Sequence, residues 1–283
     1  MAKYRKILVA FDGSASSRNA LAAASRLAQM DKSWLKVLAV VPAYEGDLDL
    51  IGISNIRETI DGPGQKILAE ARRLAEQHDV HVLTNLEQGE PYERIVTVAR
   101  EENCDLIVVG RRGLSNIERE LMGSVTARVI GHTDRNVLVV PEGSSLGFAN
   151  ILVATDGSEA SRDAVELAID IARERGGRLK VVSVVYSNDE FLALAPEMVD
   201  ELIGKARAIA EEVAAAAAAR GVASEAVVRE GEPYRAITDL AREMGADLLV
   251  MGSHGRKGLN RLLMGSVTGR AIGYASCPVL VVH

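Results

Sequence analysis

Two stretches of the chain combine glycine and serine at a spacing that could bind a phosphate group. Both follow the pattern Gly-x-x-Gly-x9-Gly-Ser, with residues Gly110, Gly113, Gly123 and Ser124 in the first and Gly252, Gly255, Gly265 and Ser266 in the second. Glycine lets backbone N–H groups approach an anion closely, and a helix that starts at the last glycine would add its N–H groups and dipole. The alternative is a glycine-bearing loop with a serine that caps the helix.

An aspartate stands at the end of an apolar run in each half of the chain. The two segments read Asp12-Gly13-Ser14 and Asp156-Gly157-Ser158. A carboxylate at this place could contact a ligand. It could also stabilise the first turn of the helix that follows, where acidic residues are common.

The sequence contains no pattern that supplies an obvious catalytic base. Gly204-Lys205 is followed by Ala206, so it lacks the end of a Walker A loop, and no Ser-His-Asp or HExxH pattern is present. The segment 143–147 matches G-x-S-x-G, but a nucleophile elbow needs a helix after it and here a predicted strand follows. We therefore assign no catalytic residue, and any hydrolysis is expected to be slow.

These motifs occur twice because the chain repeats itself. Residues 7–14 read ILVAFDGS and 151–158 read ILVATDGS, while LMGSVT occurs at both 121–126 and 263–268. The offsets of 144 and 142 residues are nearly constant, which indicates one duplicated domain. The short Gly/Ser-rich segment between the copies reads as a linker. We predict domains over 1–142 and 148–283.

Each copy alternates apolar runs with helical periodicity. In the first copy we predict strands over 7–11, 35–41, 80–86, 106–109 and 137–140, with helices between them that include one from Pro91 and one from near Ser124. Continuous Val/Ile/Leu runs are typical of parallel strands buried on both faces. The fold class is therefore α/β: two tandem, doubly wound, five-stranded parallel sandwiches. In such sheets ligands bind beyond the carboxyl ends of the strands, where both motifs are predicted to lie.

Composition narrows the classes of function. The chain has 283 residues, 48% apolar and 25% charged, which fits about two folded domains. Its net charge of −6 disfavours binding to nucleic acid through phosphate neutralisation. Two cysteines, Cys104 and Cys277, exclude a disulfide scaffold and a four-cysteine zinc site. No apolar run approaches the ~20 residues of a membrane span and no signal peptide is evident. We expect a cytoplasmic protein that binds neither membrane nor nucleic acid.

Taken together, the motifs resemble those of the universal stress proteins. The family's nucleotide motif, Gly-x2-Gly-x9-Gly-(Ser/Thr), is complete in both copies, and Asp12 and Asp156 match the family's second marker. The resemblance covers both halves almost end to end and implies a Rossmann-like fold, similar to the adenine nucleotide alpha hydrolases.

The resemblance also implies an ATP in each domain and residues that contact it. Asp12 and Asp156 would lie on the adenosine side, and the backbone of Val40 and Val184 would meet the adenine edge. The remaining nucleotide-binding positions are Ala10, Gly110, Gly113, Gly123, Ser124 and Val125 in the first copy, and Ala154, Gly252, Gly255, Gly265, Ser266 and Val267 in the second. A Mg²⁺ or Mn²⁺ ion is expected on the phosphates, and we predict no metal ligand in the protein.

The first copy departs from the commoner form of the family. Arg111-Arg112 stands where the second copy has Ser253-His254, and Phe11 replaces Thr155. Glu118 and Glu120 in its nine-residue loop would oppose phosphate unless they point away or meet the ion. The second site is therefore expected to be the more typical one.

The function implied by the resemblance is that of a nucleotide-responsive regulator in the stress response. The alternatives are an ATPase or autophosphorylating enzyme, and a scaffold that binds AMP, a cyclic nucleotide or no nucleotide. Universal stress domains commonly dimerise through the fifth strand, so we predict an intramolecular pseudo-dimer that pairs 137–140 with 279–282 and covers two exposed sheet edges. A homodimer of whole chains and other protein partners are left open.

Overall fold

The computed structural model describes residues 4–43, 56–113, 122–187, 196–255 and 264–283. The chain divides into two compact units, Met1–Gly143 and Ser144–His283. Within the described residues, no helix combines the length and the apolar composition that a membrane span requires.

Unit 1 alternates strands and helices along the chain. Its elements are β1 (Lys6–Ala10), α1 (Ala15–Asp31), β2 (Trp34–Val41), α2 (Ile56–Glu76), β3 (Val82–Gln88), α3 (Pro91–Glu101), β4 (Leu106–Gly110), α4 (Ser124–His132) and β5 (Asn136–Val140). The strands are parallel and lie in the order β3-β2-β1-β4-β5. Helices α1 and α2 pack together, as do α3 and α4.

Unit 2 repeats this arrangement element by element. It contains β6 (Asn150–Ala154), α5 (Glu159–Arg175), β7 (Arg178–Val185), α6 (Pro196–Ala219), β8 (Ser224–Glu230), α7 (Pro233–Glu243), β9 (Leu248–Gly252), α8 (Ser266–Tyr274) and β10 (Val279–Val282). Its parallel strand order is β8-β7-β6-β9-β10. The predicted tandem α/β fold is confirmed in both units. The pairing of the fifth strands stays a prediction.

The central strands are buried on both faces, which explains their unbroken apolar sequences. Leu8 and Val9 in β1, and Ile107 and Val108 in β4, have no exposed surface.

Of the five strands predicted in the first copy, only β3 departs clearly from its predicted limits, because it begins at Val82 instead of residue 80. Val80 closes α2 instead: its N–H donates to the carbonyl of Ala75 at 3.1 Å, after Asp79 with a φ of 54°.

The strand order reverses between β1 and β4 in unit 1 and between β6 and β9 in unit 2. Connections from β1 lead to one side of the sheet, whereas β4 begins the other side, so the loops that follow the two strands diverge and leave a crevice. The loops after β1 and β4 carry the predicted aspartate and the first two glycines. The fold therefore puts the separate sequence motifs of each copy at one edge of its sheet.

Both cysteines lie in the interior, which predicts slow reaction with thiol reagents. Burial raises the pKa of Cys277 to about 11 and also raises the pKa of Cys104. A pKa of about 11 leaves about one thiolate in a thousand at pH of about 8. We expect Ellman's reagent to leave both thiols of the native protein unmodified and to titrate both in concentrated guanidinium chloride. Fast reaction of either thiol in the native protein would contradict this burial.

Candidate functional site

In both units the aspartate that follows the first strand lies against the second glycine of the motif. A Cβ atom at Gly113 would lie 2.7 Å from Oδ2 of Asp12, and one at Gly255 would lie 2.9 Å from Oδ2 of Asp156. Both distances are shorter than van der Waals contact. A side chain at either position would therefore displace the carboxylate from its place.

The same aspartate shapes the start of the following helix. Oδ1 of Asp12 accepts the N–H of Ser14 at 3.0 Å across Gly13, whose φ of 78° favours glycine. The helix cap itself is Ser14, whose Oγ accepts the N–H of Ser17 at 3.1 Å. The turn-shaping alternative thus describes part of the role of Asp12, and its carboxylate still faces the glycine loop.

The first glycine of the motif has a packing role that its sequence pattern did not predict. A Cβ atom at Gly110 would lie 2.8 Å from the carbonyl carbon of Ser16 and 2.9 Å from the nitrogen of Ser17. Both contacts are to backbone, which cannot swing aside. Gly110 therefore allows the start of α1 to approach the end of β4.

The third glycine of the motif forms a backbone hydrogen bond with the loop that follows the fourth strand. The N–H of Gly123 donates to the carbonyl of Arg111 at 2.9 Å, and Gly265 donates to Ser253 at the same distance. These two N–H groups are used within the protein. Gly123 and Gly265 therefore do not offer these N–H groups to a phosphate. What they can contribute to phosphate binding is the space left by the missing side chain.

The third glycine is also the N-cap of the last helix in each unit. It has no side chain to accept from the first-turn N–H groups, which have no partner within a helix. The first backbone bonds back to these caps come from Ala127 to Gly123 at 3.0 Å and from Gly269 to Gly265 at 2.9 Å. The preceding N–H groups, including those of Ser124 and Val125, are thus placed to bind an anion.

A buried threonine fixes this helix to the fourth strand, and sequence reasoning missed it. Oγ1 of Thr126 donates to the carbonyl of Gly110 at 2.9 Å, and Oγ1 of Thr268 donates to that of Gly252 at 2.9 Å. The available signal was the hexapeptide LMGSVT, which is identical in both copies and ends at these threonines.

The backbone N–H and C=O groups of Val40 face the side of β1, beyond the point where β1 ends. The carbonyl of Leu38 accepts from Phe11 at 2.9 Å, whereas that of Val41 accepts from Gly89 at 3.0 Å. Successive residues of a strand direct their N–H and C=O groups to opposite neighbours. Val40 therefore faces the β1 side, where the ladder has already stopped at Ala10.

Val184 has the same position in unit 2. Val182 accepts from Thr155 and Val185 accepts from Gly231, each at 3.0 Å, and the β6 ladder ends at Ala154. The edge of a planar heterocycle could bind to the backbone of Val40 or Val184.

Residues 89–92 and 231–234 both read GEPY, and their side chains contact the last helix of their unit. The Tyr92 ring lies under the guanidinium of Arg128, 5.2 Å from its centroid, and Nη1 of Arg128 pairs with Glu90 at 3.0 Å. In unit 2 Arg270 lies 5.3 Å from the ring centroid of Tyr234. These contacts join α3 to α4 and α7 to α8.

The two units differ in the side-chain hydrogen bonds at the start of the helix that follows the first strand. Oγ1 of Thr155 accepts the N–H of Gly157 at 3.1 Å and shares a 3.0 Å hydrogen bond with Oγ of Ser161. Phe11, buried at the equivalent position, has no polar side-chain atom. Unit 1 uses Ser16 instead, whose Oγ donates to the carbonyl of Val140 at 3.2 Å.

Charge also differs between the two glycine loops. Arg111 is half-buried, and its pKa is lowered first by burial and then by the neighbouring charge of Arg112, against an opposing effect of Glu142. Arg112 is exposed. Glu118 and Glu120 lie outside the described residues.

Among the residues that the structure describes, no group of three or more His, Cys, Asp or Glu side chains could hold a metal ion.

The comparisons with known proteins agree with this architecture. The model of the universal stress protein family matches residues 3–141 and again 147–283. The chain belongs to the universal stress protein family. A universal stress protein of Mycolicibacterium smegmatis is 28% identical over 98% of this chain and 96% of its own length. YxiE of Bacillus subtilis, also a universal stress protein, is 32% identical over 48% of this chain and 99% of its own length.

A solved structure shares the fold of the tandem chain. A universal stress protein from Archaeoglobus fulgidus superposes with a TM-score of 0.72 at 23% identity, and covers 98% of this chain and 95% of its own. This likeness shows the fold.

Replacing Gly110 by alanine should destabilise the protein because the new methyl group would collide with the backbone of Ser16. We expect the free energy of unfolding to fall by about 1–3 kcal/mol, the usual range for overpacking. Chemical denaturation monitored by circular dichroism would measure it. Gly204→Ala in α6 is the matched control: its Cβ meets nothing within 4 Å, so this helical substitution should stabilise by about 0.5–1 kcal/mol. Equal effects of the two substitutions would disprove the packing role.

Proposed function

We propose that each unit binds an adenine nucleotide, with ATP as the leading ligand, and that the chain acts as a nucleotide-responsive regulator in the cytoplasm. One observation carries the proposal: the last helix of each unit begins with a glycine cap beside the aspartate–glycine crevice. A helix start without a capping side chain supports anion binding through its N–H groups and its dipole. Both units have this arrangement.

The phosphates would bind at the start of α4 and of α8. In unit 1 the N–H groups of Ser124 and Val125 and the Ser124 hydroxyl are the proposed donors, and Thr126 holds their helix against Gly110. Ser266, Val267 and Thr268 have the same places in unit 2. The glycines at 113, 123, 255 and 265 keep side chains out of this space.

The adenosine would bind on the side of β1 and β2. The outward-facing backbone of Val40 can donate to and accept from the adenine edge, and Ala10 ends the neighbouring strand with a small side chain. A carboxylate has about four lone-pair sites, so Asp12 can accept from a ribose hydroxyl in addition to the N–H of Ser14. Val184, Ala154 and Asp156 are the equivalents in unit 2.

A Mg²⁺ or Mn²⁺ ion is proposed to accompany the phosphates as part of the ligand. Such an ion neutralises phosphate charge and coordinates phosphate oxygens. The described residues contribute no ligand cluster of their own. The ion would therefore be held by the nucleotide, and the protein would position the nucleotide.

The described side chains favour binding over fast turnover. Asp12 and Asp156, the carboxylates of the crevice, each accept a backbone N–H at the turn before the helix. One oxygen of each carboxylate is thus already engaged in shaping the turn. A regulator with at most slow hydrolysis is thus the conclusion, and the enzyme and the scaffold for AMP or a cyclic nucleotide become outcomes of the test.

Calorimetric titration of ATP–Mg²⁺ into nucleotide-stripped protein tests the proposal. We expect two sites per chain in the wild type, one in Gly123→Val, one in Gly265→Val and none in the double variant. Even a Cβ atom at Gly265 would lie 3.3 Å from the carbonyl of Ser253, so the branched valine would push the helix start away from the loop. Gly204→Ala should bind like the wild type.

Parallel titrations with AMP and cyclic AMP, and an assay of ATP loss, separate the alternatives. Tighter binding of AMP or cyclic AMP would reassign the ligand, and steady ATP loss abolished by Gly265→Val would favour an enzyme. No heat from folded wild-type protein would overturn nucleotide binding altogether.

A further inference from the structure

The register of β6 and β7 fixes which side of the sheet the residues of β7 face. Oγ1 of Thr155 shares a 3.0 Å hydrogen bond with Oγ of Ser161 in α5, so Thr155 faces the α5 side. The register places Thr155 beside Ser183, and paired residues of parallel strands share a face. Because side chains alternate along a strand, Val184 faces the opposite side. That side is covered by α7 and α8, which pack together.

Tyr186 continues this alternation just beyond the end of β7. The strand ends at Val185, which is buried, and Ser187 is buried as well, whereas Tyr186 between them exposes 55% of its surface. The Tyr186 side chain is therefore on the same side as Val184, toward α7 and α8. This is also the side on which α8, with the proposed phosphate donors, begins.

The Tyr186 ring is uncovered, unlike the other tyrosine rings of unit 2. Tyr234 and Tyr274 lie ring to ring, with their centroids 5.2 Å apart. Among the residues that the structure describes, Tyr186 has neither a ring nor a guanidinium group against it. An uncovered aromatic ring can stack on another planar ring, and such pairs prefer offset or edge-to-face arrangements.

A nucleotide bound as proposed would bring its base within reach of this ring. Its phosphates would bind near Ser266 at the start of α8, and the edge of its base would meet the backbone of Val184. Strand residues advance by about 3.3 Å each, so the backbone of Tyr186 lies about 7 Å beyond that of Val184. Stacked rings have their centroids about 4.5–7 Å apart, a separation that the Tyr186 side chain can provide.

Unit 1 has a different residue at the equivalent position. Pro42, which is exposed, stands two residues after Val40, as Tyr186 stands two residues after Val184. The strand ends themselves match, because the last residue of each strand accepts an N–H at 3.0 Å, from Gly89 in unit 1 and from Gly231 in unit 2. The two units therefore offer the same backbone to a base, but only unit 2 adds an aromatic ring.

We propose that Tyr186 stacks on the base of the nucleotide that binds to unit 2, and that unit 1, with Pro42, lacks this contact. The inference rests on the proposed nucleotide binding and adds to it a side chain that holds the base. Stacking uses the face of a base and tolerates any base, whereas the Val184 backbone contacts the edge. Tyr186 would thus contribute affinity, and the backbone would contribute the preference for adenine.

Titration of ATP–Mg²⁺ into Gly123→Val protein, in which unit 2 is left, tests the ring. Adding Tyr186→Ala should weaken the binding of ATP by about tenfold or more, the scale of base–aromatic stacking. Tyr186→Phe keeps the ring and should bind within about twofold of the parent. Tyr274→Ala, which removes a tyrosine 45% exposed at the other end of α8, is the control and should bind like the parent.

The outcomes separate this inference from the proposed function. An affinity of Tyr186→Ala equal to that of the parent would refute the stacking and leave nucleotide binding intact. No binding of ATP by the folded parent would overturn nucleotide binding by unit 2, and the stacking with it. Circular dichroism confirms the fold of each variant.

The absorbance of the bound nucleotide distinguishes stacking from a merely structural role of Tyr186. Stacking lowers the ultraviolet absorbance of a base, so saturated parent and Tyr186→Phe proteins should both show this loss. Tyr186→Ala should not show it at saturating ATP. A loss of absorbance that persists in Tyr186→Ala would contradict the proposal, because another group would then be stacking on the base.

Introducing the ring into unit 1 gives a test that a folding defect cannot mimic. In Gly265→Val protein, where unit 1 is left, Pro42→Tyr should strengthen the binding of ATP by about threefold or more and lower the absorbance of the bound base. Pro42→Ala, which removes the proline without adding a ring, is the matched control and should do neither. Equal affinities of Pro42→Tyr and Pro42→Ala would show that this position does not contact the base and would overturn the inference.

Discussion

The arrangement of each unit depends on how closely the helix after its first strand approaches the end of the fourth strand. In unit 1 the backbone of Ser16 and Ser17 occupies the space that a Cβ of Gly110 would need, and the Asp12 carboxylate occupies that of Gly113. Two glycines on one loop thus allow one helix start and one carboxylate to meet the end of β4. Thr126 then brings a second helix start to the same strand end through the carbonyl of Gly110. The crevice at the reversal of strand order is therefore lined by two helix N-termini, whose dipoles both favour negative charge.

This constraint also explains why duplication could preserve the scaffold and alter the charge. The bonds from the third glycine to the loop and from the threonine to the strand end use backbone atoms and a short hydroxyl side chain, and they recur in both units at matching distances. The two residues between Gly110 and Gly113 are bound through their backbone, so their side chains can vary without moving the loop. Arg112 illustrates this, because Ser14 and Ser16 contact its carbonyl and N–H and leave its side chain exposed. Side-chain charge at this place is consequently separable from the geometry that brings a ligand to the site.

The strands and the meeting of the motifs could be predicted from the sequence because both follow from rules that act on short stretches. Continuous apolar runs located the strands to within two residues, and parallel topology required Asp12 and Gly113 to share an edge. The bonds of Thr126 and Ser16 could not be predicted in this way. Each joins atoms far apart in the chain, and a hydroxyl residue in the first turn of a helix has several partners open to it. The start of β3 was misplaced for a related reason: Val80 is apolar enough for a strand but closes α2 through Ala75.

Not every glycine of the motif is evidence for nucleotide binding. Gly110 meets the backbone of Ser16 and Ser17, so a universal stress domain that binds nothing would still favour glycine there, and Gly113 gives room to the Asp12 carboxylate. The N–H of Gly123 is likewise used by Arg111. The packing does not explain the glycine cap of α4, where serine would stabilise the helix by only about a few tenths of a kcal/mol relative to glycine. Nor does it explain the backbone of Val40, which faces the side of β1 beyond the last residue of that strand. Both features repeat in unit 2. They present polar backbone groups to one crevice from two sides, and this pair of features, more than the glycine spacing, carries the case for a ligand with a phosphate at one end and a planar ring at the other.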